Sequence, residues 1–294
     1  MLKSTELGAT GTPITIHGFG AMPLSIQGRP DETDAKRTLH ASLDAGINLI
    51  DTANVYCLDD DDIGHNERLI AAALAERADR DRIHVATKGG LCRPRGAWVT
   101  DATPDKLRAA CETSLRALGV ERIFLYQLHA PDPDVVFEKS IEMLARLQDE
   151  RKILHVGLSN VSVEEIRSAL TIVRVESVQN RFSPWFREAL SDGVIAECEA
   201  RRLTFLAFSP LGGMRLAKQI DEVSVLRHVA GERKTTPAAV CLAWTRAHGG
   251  RVVPIPGART VAHAIECAEA TELVLDAEEI SRIDRTTFDR AIGL

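Results

Sequence analysis

The sequence predicts a TIM-type (β/α)8 barrel, and three observations support this fold class. Strand-like and helix-like segments alternate along the 294 residues, and there are eight strand candidates. The segments between them place apolar residues at helical spacing on one face. Such alternation implies parallel strands with right-handed crossovers, and eight units of this length favour a closed barrel over an open doubly wound sheet. We therefore expect residues 1–294 to form one barrel domain.

Local signals predict the elements in order. The stretch LGATGTPITI predicts a short N-terminal hairpin. The strand candidates are the apolar segments 17–22, 47–51, 82–88, 122–129, 153–160, 175–180, 204–210 and 251–257. Helical spacing is clear at Leu107, Cys111, Ser114, Leu115 and Leu118, and again at Phe137, Ile141, Leu144 and Leu147. The pairs Thr103–Pro104 and Thr236–Pro237 predict two helix starts, because a capping hydroxyl precedes a first-turn proline.

Composition excludes several classes of partner. The net charge of −6 includes no long basic run, so neither nucleic acid nor an anionic membrane is an expected partner. The six cysteines form no Cys-x-x-Cys pair, which predicts reduced thiols, no metal site and a cytoplasmic protein. Neither a signal peptide nor a membrane-spanning apolar run is found. The acidic run 58–67 predicts a solvated loop, with an acidic rim to an active site as the alternative.

Four polar side chains follow neighbouring predicted strands. Asp51 ends the second strand and Tyr56 lies in the loop after it, whereas Lys88 and His129 end the third and fourth strands. Catalytic groups of barrels collect at the C-terminal strand ends, and consecutive parallel strands are neighbours. Each residue alone also fits a structural role, as a buried ion pair, a rim tyrosine or a backbone-bonded histidine. Together they favour catalysis, because burying several ionisable groups in one concave site costs desolvation free energy and such clusters are typical of functional sites.

The residue types indicate chemistry at a carbonyl group. A phenol is a weak acid at neutral pH, but a neighbouring ammonium stabilises the phenolate, so Lys88 is expected to lower the pKa of Tyr56. Asp51 would keep Lys88 charged and in place. A neutral His129 could donate a hydrogen bond to a carbonyl oxygen and orient it toward Tyr56. The set predicts protonation of a carbonyl oxygen while another group attacks the carbon.

Seven motifs identify a resemblance that covers essentially the whole chain. They are GINLIDTANVY, VATKGG, LYQLH, VGLSN, SVQNRF, AFSPLGG and PIPGA, in that order. In order and spacing they resemble those of the aldo-keto reductases. The resemblance implies hydride transfer from a nicotinamide cofactor to a small-molecule carbonyl substrate, or the reverse oxidation of an alcohol or sugar. Tyr56 would be the acid, Lys88 and Asp51 its tuning pair, and His129 the group that orients the substrate.

The cofactor would bind without a Rossmann domain, because no G-x-G-x-x-G opens a βα unit. Barrels often bind phosphate in the loops after strands 7 and 8, where SPLGG (209–213) and PIPGARTVAH (254–263) stand. By resemblance, Ser159, Asn160 and Gln179 would bond the nicotinamide carboxamide, and Phe208 would stack on the ring. The pyrophosphate would lie along Ser209, Leu211 and Gly213. Further cofactor neighbours implied are Gly20, Met22, Asp51, Pro210, Ile255, Gly257 and Ala258.

The residues expected at the adenosine end of the cofactor favour NADPH over NADH. By resemblance, Arg259 and His263 would meet the 2′-phosphate, which suits a guanidinium. Glu266 and Cys267 would lie at the adenine, although many members have Asn at the position of Cys267. The motifs VATKGGLCR and VPIPGARTVAH are closest to the bacterial branch that includes pyridoxal reductases, with sugar and aldehyde reductases as neighbours.

The substrate pocket is expected at the same end of the barrel. Its predicted residues are Met22, Tyr56, Trp98, His129, Phe182 and Trp185. Two other functions remain open from the sequence: an NADPH-binding sensor or regulatory subunit with slow turnover, and a lyase or aldolase that uses Lys88 as a Schiff-base amine. The physiological substrate, the direction of flux and the oligomeric state do not follow from the sequence.

Overall fold

Twelve strands occur in residues 2–288, which are the residues that this computed structural model describes. They are β1 (Ser4–Glu6), β2 (Pro13–Thr15), β3 (Phe19–Gly20), β4 (Leu49–Asp51), β5 (His84–Gly89), β6 (Leu91–Cys92), β7 (Val99–Thr100), β8 (Ile123–Leu128), β9 (Ile153–Ser159), β10 (Val175–Arg181), β11 (Thr204–Phe208) and β12 (Val252–Pro254). Eight of them lie within the segments predicted as barrel strands or within one residue of these, which confirms the predicted strand order.

The described residues also contain twelve α-helices. They are α1 (Glu32–Asp44), α2 (His65–Ala75), α3 (Pro104–Leu118), α4 (Phe137–Asp149), α5 (Val163–Leu170), α6 (Glu188–Ser191), α7 (Val194–Arg201), α8 (Gly213–Leu216), α9 (Ser224–Arg233), α10 (Pro237–Ala247), α11 (Val261–Glu269) and α12 (Ala277–Asp284). Both predicted proline starts are helix starts. The Thr236 hydroxyl caps the amide of Ala239, but that of Thr103 donates to Asp101 instead of capping α3.

The main sheet is parallel, and its strands follow chain order as β3, β4, β5, β8, β9, β10, β11 and β12. Two backbone bonds close the sheet on itself: Gly18 N–H donates to Pro254 O and Gly20 N–H to Pro256 O, each at 2.9 Å. A side chain at Gly20 would collide with this seam, because a Cβ would lie 2.7 Å from the Ile255 carbonyl oxygen. The predicted (β/α)8 barrel is confirmed.

The N-terminal hairpin closes the bottom of the barrel. Strands β1 and β2 pair antiparallel, as predicted. Leu7 and Ile14 are fully buried and pack against strand residues inside the barrel, including Leu49, Leu125 and Leu206. The Gly8 amide donates to Thr204 Oγ1 at the start of β11. This plug occupies the N-terminal strand ends, so the opposite end is the one left open for a site.

A larger core lies between the sheet and its helices. The amphipathic helices α3 and α4 bury Leu107, Cys111, Ile141 and Leu144 there, which matches the predicted apolar faces. Within residues 2–288 no helix has the length and apolar character needed to cross a bilayer.

Candidate active site

Three neighbouring strand ends bring the predicted polar residues together. Asp51 ends β4, Lys88 lies near the end of β5, and His129 directly follows β8. Strands β4 and β5 pair in parallel, with Asp51 opposite Ala86. Lys88 lies two residues after Ala86 and therefore points to the same face of the sheet as Ala86. Tyr56 enters from the loop after β4, where its amide donates to the Ala53 carbonyl in a tight turn.

The Lys88 ammonium is the centre of the cluster. Its side chain is fully buried, and Nζ lies 2.7 Å from Asp51 Oδ2 and 2.9 Å from Asp51 Oδ1. It also bonds the Thr52 carbonyl at 2.9 Å and the Tyr56 hydroxyl oxygen at 3.0 Å. The predicted proximity of Asp51, Tyr56 and Lys88 is therefore a direct hydrogen-bonded contact.

Burial changes the expected electrostatics of Tyr56. Removal from water raises the pKa of the phenol above its ordinary value, while the Lys88 charge opposes that rise. The sequence-based expectation of a lowered pKa considered the ammonium and left out burial. Burial alone would lower the pKa of Lys88, but Asp51 and Tyr56 raise it above its ordinary value. Both groups are thus protonated at neutral pH, leaving a phenol ready to donate beside a fixed positive charge.

His129 lies against the phenol as a neutral imidazole. Burial, and to a smaller extent the Lys88 charge, holds the pKa of His129 well below its ordinary value. The ring centroids of Tyr56 and His129 are 5.8 Å apart in an edge-to-face arrangement. Buried Nδ1 has no hydrogen-bond partner within the described residues. The Asn160 side chain donates to the His129 carbonyl at 2.9 Å, which fixes this strand end.

Two amides that bond Asp51 complete the inner layer. Gln179 Nε2 lies 2.7 Å from Asp51 Oδ1, and Gln127 Nε2 lies 3.4 Å from the same oxygen. Both residues are buried, on β10 and β8 respectively. Gln127 was not predicted as a site residue, although it stands inside the motif LYQLH; its inward position, two residues before His129, is the signal that the sequence offers.

An open cleft of about 430 Å³ lies above this cluster. Its wall includes the following residues predicted for catalysis, cofactor or substrate: Gly20, Met22, Asp51, Tyr56, Trp98, His129, Ser159, Asn160, Gln179, Phe208, Ser209, Pro210, Leu211, Gly213, Ile255 and Gly257. Arg181, Leu91 and Met214 also line the cleft and were not predicted. This volume is within the usual range for small-molecule sites.

Two predicted substrate residues lie elsewhere, so that prediction was wrong. Phe182 and Trp185 are 0% and 3% exposed and belong to the large core. Phe182 stacks on Trp244, and Trp185 packs edge-on against Phe288. Both aromatic rings therefore belong to the core and do not line the cleft.

The residues predicted for the adenosine end lie beyond the cleft wall. Arg259 donates to the carbonyls of Pro23 and Gln27 and contacts Met214 Sδ. His263 is exposed in the first turn of α11. Ala258, Glu266 and Cys267 do not line the cleft; Ala258 and Cys267 are buried, and Glu266 is partly exposed.

The cleft wall includes groups that could hold a nicotinamide dinucleotide. Among them are the Ser159 hydroxyl, the Asn160 amide and the ring of Phe208. Residues 209–211 and Gly213 also line the cleft, and Gly213 has φ +87° with open space where a Cβ would be, so that nothing lies nearer than 3.7 Å. Hydrogen-bonding side chains, a flat ring and open backbone therefore border one cleft, and such groups suit a carboxamide, a nicotinamide ring and phosphates respectively.

Comparison with known proteins agrees with this geometry. The model of the aldo/keto reductase family matches residues 18–287. A glycerol dehydrogenase from Gluconobacter oxydans is similar, with 27% identity, a TM-score of 0.84 and coverage of 96% of this chain and 94% of that one. An aldo-keto reductase from Klebsiella pneumoniae, solved in complex with NADPH, has 25% identity, a TM-score of 0.81 and coverage of 97% and 95%.

An aldo-keto reductase from Bacillus halodurans in its holo form has 25% identity and a TM-score of 0.81, with 99% of both chains covered. The predicted resemblance is thus confirmed over nearly the whole described chain, with the barrel and strand order that it implied. The chain belongs to the aldo/keto reductase family of NAD(P)H-dependent oxidoreductases.

Proposed function

We propose that this protein reduces an aldehyde or ketone with NADPH, or oxidises the corresponding alcohol or sugar, with Tyr56 as the general acid. The observation that carries the proposal is the buried contact of Lys88 Nζ with both the Tyr56 hydroxyl and the Asp51 carboxylate. The Tyr56 hydroxyl thus lies on a buried ammonium, and Tyr56 lines the open cleft. This is the arrangement of a proton donor with a stabilised conjugate base that a substrate can reach.

The side chains divide the work at the carbonyl group. Neutral His129 donates a hydrogen bond to the substrate oxygen and orients it toward Tyr56. Tyr56 then gives its proton to that oxygen, and Lys88 stabilises the phenolate that remains. Asp51 keeps Lys88 charged, with Gln127 and Gln179 holding the carboxylate in place. When bound, NADPH supplies the hydride that the carbonyl carbon accepts.

The nicotinamide end of the cofactor is assigned to the groove beside these residues. Ser159, Asn160 and Gln179 are proposed to bond the carboxamide, and Phe208 to stack on the ring. Gly20, Met22, Ile255 and Gly257 border the same space, and the backbone of 209–213 is proposed to meet the pyrophosphate. The NADPH complex of the Klebsiella relative supports this choice of cofactor.

The adenosine end is assigned to the segment after β12. Arg259 and His263 are proposed for the 2′-phosphate, with Ala258, Glu266 and Cys267 nearby. In the structure Arg259 bonds two backbone carbonyls, so binding a phosphate would require it to exchange at least one of these bonds. A dianionic phosphate is the stronger acceptor and would favour that exchange.

The Schiff-base alternative has no support from the geometry. Lys88 Nζ is charged, fully buried and bonded to three residues, whereas an amine that attacks a carbonyl must be neutral and reachable. The substrate oxygen can approach Tyr56 and His129, which line the cleft, but Lys88 does not line it.

The test is a panel of aldehydes and ketones with NADPH, read by loss of NADPH absorbance. We expect turnover of several carbonyl compounds, with the alcohol as product. Stopped-flow oxidation of enzyme-bound NADPH separates an enzyme from a regulatory subunit. Tight NADPH binding without oxidation by any compound in the panel would contradict the proposal and favour the regulatory function.

A further inference from the structure

A buried arginine behind the cleft wall has no role in the chemistry described above. Arg93 lies in the loop after β6 and is 1% exposed, one of the largest fully buried side chains of the described residues. Its Nε and Nη1 have no hydrogen-bond partner there. A buried charge with two unpartnered donor nitrogens is costly, so another interaction must offset the cost.

That interaction is a stack on Trp98. The guanidinium carbon of Arg93 lies 3.9 Å from the centroid of the Trp98 ring, which is a close cation–π contact. Arg93 Nη2 also donates to the carbonyls of Cys57 and Leu58, the two residues after Tyr56. Arg93 therefore ties the Tyr56 loop to the Trp98 ring.

The stack leaves the indole available to the cleft. Trp98 lines the cleft and is 48% exposed although Arg93 covers one side of its ring. Its ring is edge-to-face with Tyr56, at 6.3 Å between centroids and an angle of 72°. An exposed, fixed aromatic surface thus stands beside the proposed proton donor.

We propose that Trp98 is a stacking platform for a planar, aromatic aldehyde or ketone, and that Arg93 is the positioning residue that holds it. This rests on the proposed function, whose substrate class it narrows. A carbonyl group conjugated to a flat ring places its oxygen within reach of Tyr56 and His129 while the ring lies along the indole. An aliphatic ring of the same size is puckered and cannot make the same flat contact.

The test compares benzaldehyde with cyclohexanecarbaldehyde, two aldehydes with six-membered rings. The measured quantity is the ratio of their kcat/KM values in each variant relative to the wild type, which cancels the intrinsic reactivity of the aldehydes. We expect Trp98→Leu to lower the ratio roughly 3- to 10-fold, which is the usual contribution of an aromatic pair. Since the indole also stabilises buried Arg93, the fold of Trp98→Leu is checked by circular dichroism before the ratios are compared.

Arg93→Leu tests the positioning role. We expect the same fall in the ratio although Trp98 is still present, together with stronger acrylamide quenching of tryptophan fluorescence as the indole loses its support. Trp185 and Trp244 are 3% and 0% exposed, so the quenching reports on Trp98. The matched control is Arg95→Leu, which removes an exposed charge from the same loop and should change neither readout.

The outcomes separate the two proposals. If the wild type reduces neither these aldehydes nor any other carbonyl compound, the proposed function fails. If it reduces both aldehydes and the ratio is unchanged in Trp98→Leu, the platform is wrong and the proposed function stands. An unchanged ratio and unchanged quenching in Arg93→Leu would overturn the role of Arg93 alone.

Discussion

The chemistry of single residues here depends on burial as much as on neighbours. The contact between the Lys88 ammonium and the Tyr56 phenol was predicted correctly. The sequence does not give the desolvation free energy that each group loses on burial. Burial raises the pKa of Tyr56 and almost removes the charged form of His129. The site therefore holds a protonated phenol and a neutral imidazole, the pair that a carbonyl oxygen requires.

The sequence could not predict which aromatic side chains face the cleft. Phe182 and Trp185 follow a strand end, as Tyr56 does, and sequence position alone could not distinguish the cleft from the core. The difference lies in tertiary packing, since Phe182 packs on Trp244 and Trp185 on Phe288, and these contacts are distant in sequence. Arg93 was missed for a different reason: a loop arginine is usually exposed, but this one is buried.

A buried histidine outside the site predicts how stability depends on pH. His17 is fully buried with Nδ1 on the Cys267 carbonyl, and burial lowers its pKa from 6.5 to about 4. As pH falls below 6.5, His17 of the unfolded chain binds a proton, whereas His17 of the folded protein stays neutral down to about pH 4. The free energy of unfolding should fall over that window, by on the order of 3 kcal/mol from this residue.

His17→Gln, which can keep the bond to the Cys267 carbonyl, should flatten that decline in urea unfolding measured between pH 7 and 4. His228→Gln is the control, because this side chain is 72% exposed. Equal slopes in the wild type and His17→Gln would contradict the assignment.

The positions of the strands and helices were the part of the structure that the sequence predicted best. All eight barrel strands and the hairpin were predicted, because each strand is a short apolar run and the helices between them have clear apolar faces. The loops that carry function were less predictable. The short strands β6 and β7, which frame the Arg93 loop, pair only with each other and leave no periodic signal.

The loops after β3, β11 and β12 meet at Arg259, which predicts how the cofactor is discriminated. Its guanidinium contacts Pro23, Gln27 and Met214, so loss of the side chain loosens the groove for any dinucleotide. A contact with the 2′-phosphate would act on NADPH alone. We expect Arg259→Ala to weaken NADPH binding roughly 10- to 100-fold more than NADH binding, measured as Kd by titration.

An exposed arginine on α9 provides the control for that titration, and Arg227→Ala should leave both dissociation constants unchanged. If Arg259→Ala weakens NADH and NADPH equally, the residue is a link between loops and the 2′-phosphate assignment is wrong.

The whole molecule explains why distant sequence positions meet. The hairpin plug fills one end of the barrel, and the seam between β3 and β12 closes the sheet, so polar strand ends converge only at the other end. Asp51, Lys88 and His129 are far apart in sequence, and the parallel register puts them at the same end of the barrel, with Asp51 and His129 in the cleft wall and Lys88 buried beneath it. The fold class was therefore enough to predict the cluster, but not its hydrogen bonds.

Replacing Tyr56 by Phe tests the central claim most directly, because it removes the proton donor and keeps the ring. We expect kcat for carbonyl reduction to fall about 10²- to 10⁴-fold with an unchanged Kd for NADPH. The chain contains one other tyrosine, and Tyr126→Phe, which removes a buried hydroxyl bonded to the Leu107 carbonyl, should keep turnover. Turnover by Tyr56→Phe within a few fold of the wild type would contradict the account.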